Sequence, residues 1–189
     1  MSTNTTEKLP QSVLNLLTSS RFIHLATCLN NKPHVSLMNY TFFHQDNTNI
    51  IIISTPKKTT KYDNIISNPN VSILIHDWIS VKNTPESTNE TNNDNDNNDN
   101  RRNSLYELLA NFNKNELSRV SVMLDGQAKV IDKSKDKSKF DFYKSLHLNN
   151  CKIDQLQAKN YIENDDNALI LIEIKSCKVT DTDNNVEEY

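Results

Sequence analysis

Glycine is almost absent from this chain: Gly126 is the only one in 189 residues, where average usage of about 7% would supply roughly thirteen. That scarcity excludes the motifs that hold phosphates or nucleophiles on glycine. A dinucleotide fingerprint needs three glycines, a P-loop two, and a nucleophile elbow two around its serine. Cysteine is scarce too. Cys28, Cys151 and Cys177 show no CxxC spacing, which argues against a zinc site or a disulfide framework. No apolar run approaches the ~18 residues of a membrane span. MSTNTTEKLP has neither the basic nor the apolar part of a signal peptide. A net charge of −3 lacks the excess of basic groups that a nucleic-acid or anionic-membrane surface requires. These absences lead to an expectation of a soluble protein, cytoplasmic or nuclear, with no metal, no nucleic acid and no membrane among its partners.

Asparagine is abundant, with 29 copies. Many lie between Lys82 and Ser104, a stretch without any aliphatic, aromatic or cysteine residue. Such a segment cannot bury enough apolar surface to offset its ordering entropy. It reads as a disordered insertion over 83–103 within a single domain spanning 8–181, with flexible termini at 1–7 and 182–189.

The rest of the chain alternates short helices with strands. Leu9, Val13, Leu16 and Leu17 follow helical spacing around Pro10, which suits a helix start. FIHLATCL (Phe22–Leu29) reads as a strand stopped at Asn30-Asn31, a pair that tolerates positive φ. Cys28 sits in that run and reads as a reduced, buried thiol. HVSLMNYTFF (His34–Phe43) is a second strand. NIIIIST (Asn49–Thr55) is a third, and its continuous β-branched run implies burial on both faces. Ile65 and Ile66 mark the apolar side of a short helix that Thr59 or Thr60 can cap, and Asn68-Pro69 ends it. Further strands are expected at Val71–Val81, Arg119–Asp132 and Ala168–Thr180. Ser104 and Glu107 have capping-box spacing ahead of LYELLANF, and KFDFYKSLHL forms another helix. Gly126, inside a strand, signals a bulge or a close approach. The pattern predicts a mainly β, α+β fold: a six-stranded antiparallel β-barrel with short flanking helices.

Hydrolytic constellations are weak. His24, His34, His44, His76 and His147 are scattered, and Asp165-Asp166 lies in a polar loop. The informative segment is ISTPKKTTKYDNI (Ile53–Ile65), where a strand ends, Pro56 turns the chain, and Lys57, Lys58 and Lys61 crowd a helix start. Exposed N–H groups, threonine hydroxyls and ammonium groups there can hold a phosphate without glycine. The same lysines also read as a solvated cluster behind a turn.

VSLMNY, IIISTPKKTTKYDNI, SNPNVSILIHDW and MLDGQAKVI, in this order, resemble the FMN-binding split β-barrels of the pyridoxamine 5′-phosphate oxidase family, in particular its small fungal members. The resemblance covers most of Phe22 to Ile131 outside the insertion. It implies a homodimer with FMN in a groove between subunits, acting as an oxidoreductase on a small molecule. The strand lining the flavin falls on Ser36 to Thr41, with Ser36, Asn39 and Thr41 as contacts. The pair meeting the isoalloxazine ring falls on Ser54 and Thr55, the phosphate-binding residues on Thr59, Thr60 and Lys61, and a further flavin contact near Ser121. Thr60 stands where the family carries arginine. After Cys177-Lys-Val-Thr the sequence reads DTDNNVEEY, without the tryptophan and arginine/histidine tail that closes over the vitamin substrate, and Trp78 lies far upstream. The resemblance therefore implies a flavoprotein rather than pyridoxamine phosphate oxidation itself. The second reading is a dimeric barrel without catalysis that acts as a binding or regulatory module.

Overall fold

The computed structural model describes residues 9–45, 48–77, 120–150 and 166–189. The insertion at 83–103, the LYELLANF helix, the far end of the strand expected to reach Val81, Trp78, Cys151 and the N-terminal seven residues lie outside them. Helix α1 (Gln11–Ser19) leads into β1 (Phe22–Leu29), β2 (Lys32–Asn39), β3 (Thr41–Gln45) and β4 (Thr48–Pro56). Then follow α2 (Thr60–Ser67), β5 (Asn70–His76), β6 (Ser121–Ile131), α3 (Lys137–Asn150), β7 (Asn167–Thr180) and β8 (Val186–Glu188). Among the described residues three helices accompany one antiparallel sheet of eight strands, ordered β2-β1-β5-β6-β7-β4-β3, with β8 on β7; β2 and β3 end this order without pairing each other, so the expected barrel is not closed. Among the described residues no helix is long and apolar enough to cross a membrane.

The strand count differs from the expected six for two physical reasons. First, the chain changes partner at Tyr40: β2 pairs β1, whereas β3 pairs β4. Tyr40 itself turns inward, 3% exposed, and its hydroxyl donates to the Leu17 carbonyl at 2.7 Å. That bond ties α1 to the break, and burial raises the phenol well above its ordinary pKa. Second, Val186–Glu188, expected as part of a flexible terminus, pairs Lys178–Thr180 on the stretch of the β7 edge that β4 does not cover. Asp181 closes the intervening turn by accepting from the Asp183 and Asn185 N–H groups, both at 2.9 Å.

The β1–β2 hairpin turns on Asn30 (φ 51°) and Asn31 (φ 60°). Two consecutive positive φ values match the right-handed twist of the flanking strands, and asparagine tolerates them. The four isoleucines of β4 divide between two cores: Ile51 and Ile53 enter the main one with Leu25, Ile73 and Leu124, while Ile50 and Ile52 meet Tyr143, Leu169 and Leu171 under α3. Both faces are therefore buried, as the unbroken apolar run implies, and each isoleucine contributes about 1.5–3 kcal/mol relative to exposure. The α2 helix buries Ile65 but leaves Ile66 59% exposed. The inward stripe of this short helix falls on Asn64 and Ile65, with Asn64 donating to Thr27 Oγ1 at 3.0 Å, and a further step of the helical turn carries Ile66 out to solvent.

Gly126 lies at a register shift in the β6–β7 ladder. A Cβ built there would stand 2.8 Å from the Glu173 carbonyl oxygen and 2.8 Å from Ile172 Cγ2. The lone glycine thus serves both a bulge and a close backbone approach. Cys28 is half-buried rather than buried. Between the two described cysteines Cys177 is the buried thiol, and burial pushes it up to about 11.

Candidate functional site

The β4 strand delivers Ser54 and Thr55 to its end, Pro56 turns the chain, and α2 begins at Thr60. Thr55 is 1% exposed and its Oγ1 lies 3.3 Å from Thr59 Oγ1. The Thr59 hydroxyl donates to the Pro56 carbonyl at 2.8 Å and makes no cap bond to the helix, although Thr59 occupies the N-cap position in extended backbone. The first-turn N–H groups of α2 are thus left without a side-chain acceptor from their own cap, at the positive end of the helix dipole. Backbone bonding braces the corner from outside, with Lys57 N–H donating to the Asp166 carbonyl at 3.0 Å.

Lys61 lies one residue into this helix. It is half-buried, and burial lowers its ammonium pKa below the ordinary value. No carboxylate among the described residues pairs with it. A partly desolvated cation beside an uncapped helix start is an arrangement that an anion completes. Thr60 is exposed at the same start. Ser54, Thr55, Thr59, Thr60 and Lys61 therefore form one corner.

The other expected contacts separate. Ser36 opposes Leu25, a core residue, so it faces inward, and its Oγ lies 3.3 Å from His34 Nδ1. Asn39 opposes Phe22 on the outer face at the end of β2, where β2 approaches β4. Alternation puts Asn39 on the same outer face as Ile50, Ile52 and Ser54. Thr41 opposes Ile52 but is covered by α3: its Oγ1 is 2.9 Å from His147 Nδ1, and Asn150 Nδ2 donates to it at 3.3 Å. Thr41 is thereby a buried strut between β3 and α3. Ser121 begins β6 opposite His76 and Thr180. Three inter-strand spacings of ~4.8 Å, across β1 and β5, separate it from Asn39, so about 14 Å lies between them.

Two residues outside the expected set position the corner. Asn64 and Asn68 hold α2 against β1, by bonds to Thr27 Oγ1 and to the Cys28 carbonyl at 3.1 Å. Asparagine is so common in this chain that neither stands out by residue type. His147, 3% exposed, is the other polar side chain that the spacing of histidines did not reveal.

Relatives align over nearly the whole chain. A family model described as pyridoxamine 5′-phosphate oxidase matches residues 9–181. A pyridoxamine 5′-phosphate oxidase homolog of Schizosaccharomyces pombe is 34% identical, covering 98% of this chain and 93% of the relative. A homolog of Saccharomyces cerevisiae is 32% identical, covering 97% and 95%. Among solved structures, a heme binding protein from Mycobacterium smegmatis shares the fold at TM-score 0.59 and 15% identity, over 96% of this chain and 58% of that one. A FAD-binding protein from Mesorhizobium loti does so at TM-score 0.51 and 15% identity, over 90% and 94%. With the family model matching residues 9–181, and relatives above 30% identity over nearly the whole chain, the chain belongs to the pyridoxamine 5′-phosphate oxidase family.

Proposed function

We propose that the chain is an FMN-binding flavoprotein, a homodimer that oxidises or reduces a small molecule in the cytoplasm. The observation that carries this reading is Lys61, a half-buried ammonium without an ionic partner among the described residues, next to the uncapped start of α2. A phosphate monoester meets both the charge and the N–H groups. In this assignment Lys61 and the first turn, with Thr59 and Thr60, hold the FMN phosphate, while Ser54 and Asn39 face the ring on the outer side of the sheet. The bound flavin would supply hydride transfer, and the protein supplies position and polar contacts. Thr41, bonded to His147, and Ser36, turned inward, support the site indirectly rather than by touching the cofactor.

The homodimer is supported by the outer face of β2, β1, β5 and β6. Leu37, His24, Leu74 and Met123 follow one another across that face in direct register. Leu37 is 61% exposed, and Phe22, Val35, Leu74 and Met123 are exposed around it. His24 and His76 stack on the same face, ring centroids 6.0 Å apart. A contiguous apolar patch of this kind marks an association surface. A second copy would also bring another Ser121 to the groove, which a single protomer leaves about 14 Å from Asn39.

Thr60, exposed where the family carries arginine, favours the second reading, a dimeric binding module without cofactor. Fold likeness alone does not choose between flavin and heme, because relatives named for each share it. The spectrum of freshly purified protein separates all three. A yellow flavin spectrum, released as FMN, is the expected result; a heme spectrum, or a colourless protein that FMN does not reconstitute, overturns the proposal.

A further inference from the structure

His24 and His76 stack on the outer face of the sheet, ring centroids 6.0 Å apart and planes within 13° of parallel. No spacing in the sequence announces this pair, because the two residues come from different strands, β1 and β5. The other three histidines each hold a polar partner. His34 Nδ1 lies 3.3 Å from Ser36 Oγ, His44 Nδ1 2.7 Å from the Asn49 side-chain oxygen, and His147 Nδ1 2.9 Å from Thr41 Oγ1. Neither ring of the stacked pair makes a hydrogen bond or ion pair among the described residues, so each keeps a nitrogen lone pair for a ligand. His24 is half-buried and His76 exposed.

Neutral imidazole is a ligand for Zn²⁺ and the neighbouring divalent transition metals. Two imidazoles on one tetrahedral zinc, at about 2.0–2.1 Å each, hold their bonding nitrogens about 3.3 Å apart and their ring centres about 5 Å apart. The observed pair is within about 1 Å of that spacing, which side-chain rotation of the exposed His76 supplies. One chain stops at two ligands: among the described residues no group of three or more His, Cys, Asp or Glu side chains could hold a metal ion. A second copy can bring the missing two. The apolar row from Leu37 to Met123 crosses β2, β1, β5 and β6, and its middle falls between β1 and β5, where the histidines stand. A symmetric dimer through one patch brings the residues nearest its two-fold axis against their own counterparts. We propose that His24 and His76 are half of a tetrahedral transition-metal site, completed by the same two residues of a second copy, so that a divalent ion such as Zn²⁺ locks the dimer. The site depends on the homodimer reading of this face and gives that dimer an inorganic ligand.

Chelator-treated, full-length protein without an affinity tag is titrated with Zn²⁺, and with Mg²⁺ as control, by calorimetry, sedimentation and NMR of the histidine rings. One zinc per two chains is expected, with a dimer dissociation constant at least tenfold lower in zinc than without it. Mg²⁺, which prefers oxygen ligands, should do nothing. Zinc should shift the ring signals of His24 and His76 and leave those of His34 and His44 in place. His24→Gln and His76→Gln should each abolish the effect of zinc on the dimer, with circular dichroism unchanged. A dimer whose dissociation constant ignores zinc overturns the site while the homodimer stands. So does one zinc bound per monomeric chain, or a zinc effect that survives both substitutions. Dimers that form only with zinc support the site but deny the apolar row a metal-free dimer. A chain that stays monomeric with and without zinc overturns both readings.

Discussion

Thr41 Oγ1 lies 2.9 Å from His147 Nδ1, joining β3 to α3 across the second core. The imidazole is 3% exposed, and burial lowers its pKa from 6.5 to about 4. An unfolded chain binds a proton at this histidine between those two values, while the native state does not. Stability therefore falls as pH drops from 6.5 toward 4, by up to about 3 kcal/mol. Urea unfolding at several pH values should show this slope, and His147→Gln should flatten it over the same window. An unchanged slope in that variant would assign the acid sensitivity elsewhere.

Gly126→Ala forces a methyl group against the Glu173 carbonyl and Ile172 Cγ2, each 2.8 Å from the ideal Cβ position. One of the two neighbours is backbone and held in the β6–β7 ladder, so relief requires shifting a strand. The expected cost is about 1–3 kcal/mol, measured as a lower urea midpoint at unchanged slope. A neutral substitution would mean that β7 yields freely.

The row formed by Leu37, His24, Leu74 and Met123 predicts self-association. Leu37→Asp places a charge at the β2 end of this row, at a position 61% exposed in the single chain. Sedimentation should show a dimer for the unaltered protein and a monomer for the variant, with the same circular dichroism. A variant that stays dimeric would move the interface off this face.

Tyr40→Phe removes the bond to the Leu17 carbonyl but keeps the ring in the core. Leaving a buried carbonyl unsatisfied costs about 1–3 kcal/mol. Hydrogen exchange should rise first in α1, because this hydroxyl pins that helix to the β2–β3 break. Uniform acceleration across the sheet would show that Tyr40 acts globally instead.

Residue patterns reached the strands whose burial alternates or is continuous. Ile50 to Ile53 announced a doubly buried strand because four β-branched residues leave no polar face, and Asn30-Asn31 announced their turn because few residues accept positive φ. Gly126 was legible for the same reason: a missing side chain records what approaches it. The break at Tyr40 was not legible. HVSLMNYTFF keeps strand propensity throughout, and the change of partner from β1 to β4 depends on which distant strand lies beside each half of the segment rather than on local sequence. Thr41 shows the same limit at the site, since its partner His147 lies 106 residues away. The corner from Ser54 to Lys61 was readable because it is contiguous; Asn64 and Asn68, which hold it to β1, are polar residues whose burial no periodicity marks.

In the proposed function, Lys61 anchors a phosphate-bearing flavin at the start of α2. FMN and riboflavin are titrated into apoprotein while flavin fluorescence is followed, for the unaltered chain and for Lys61→Ala. Saturable quenching by FMN, at least tenfold weaker binding of riboflavin, and a loss of about 1.5–3 kcal/mol of FMN affinity in the variant are expected. Equal affinity for the two flavins, or a Lys61→Ala protein that binds FMN as well as the unaltered chain, would contradict it.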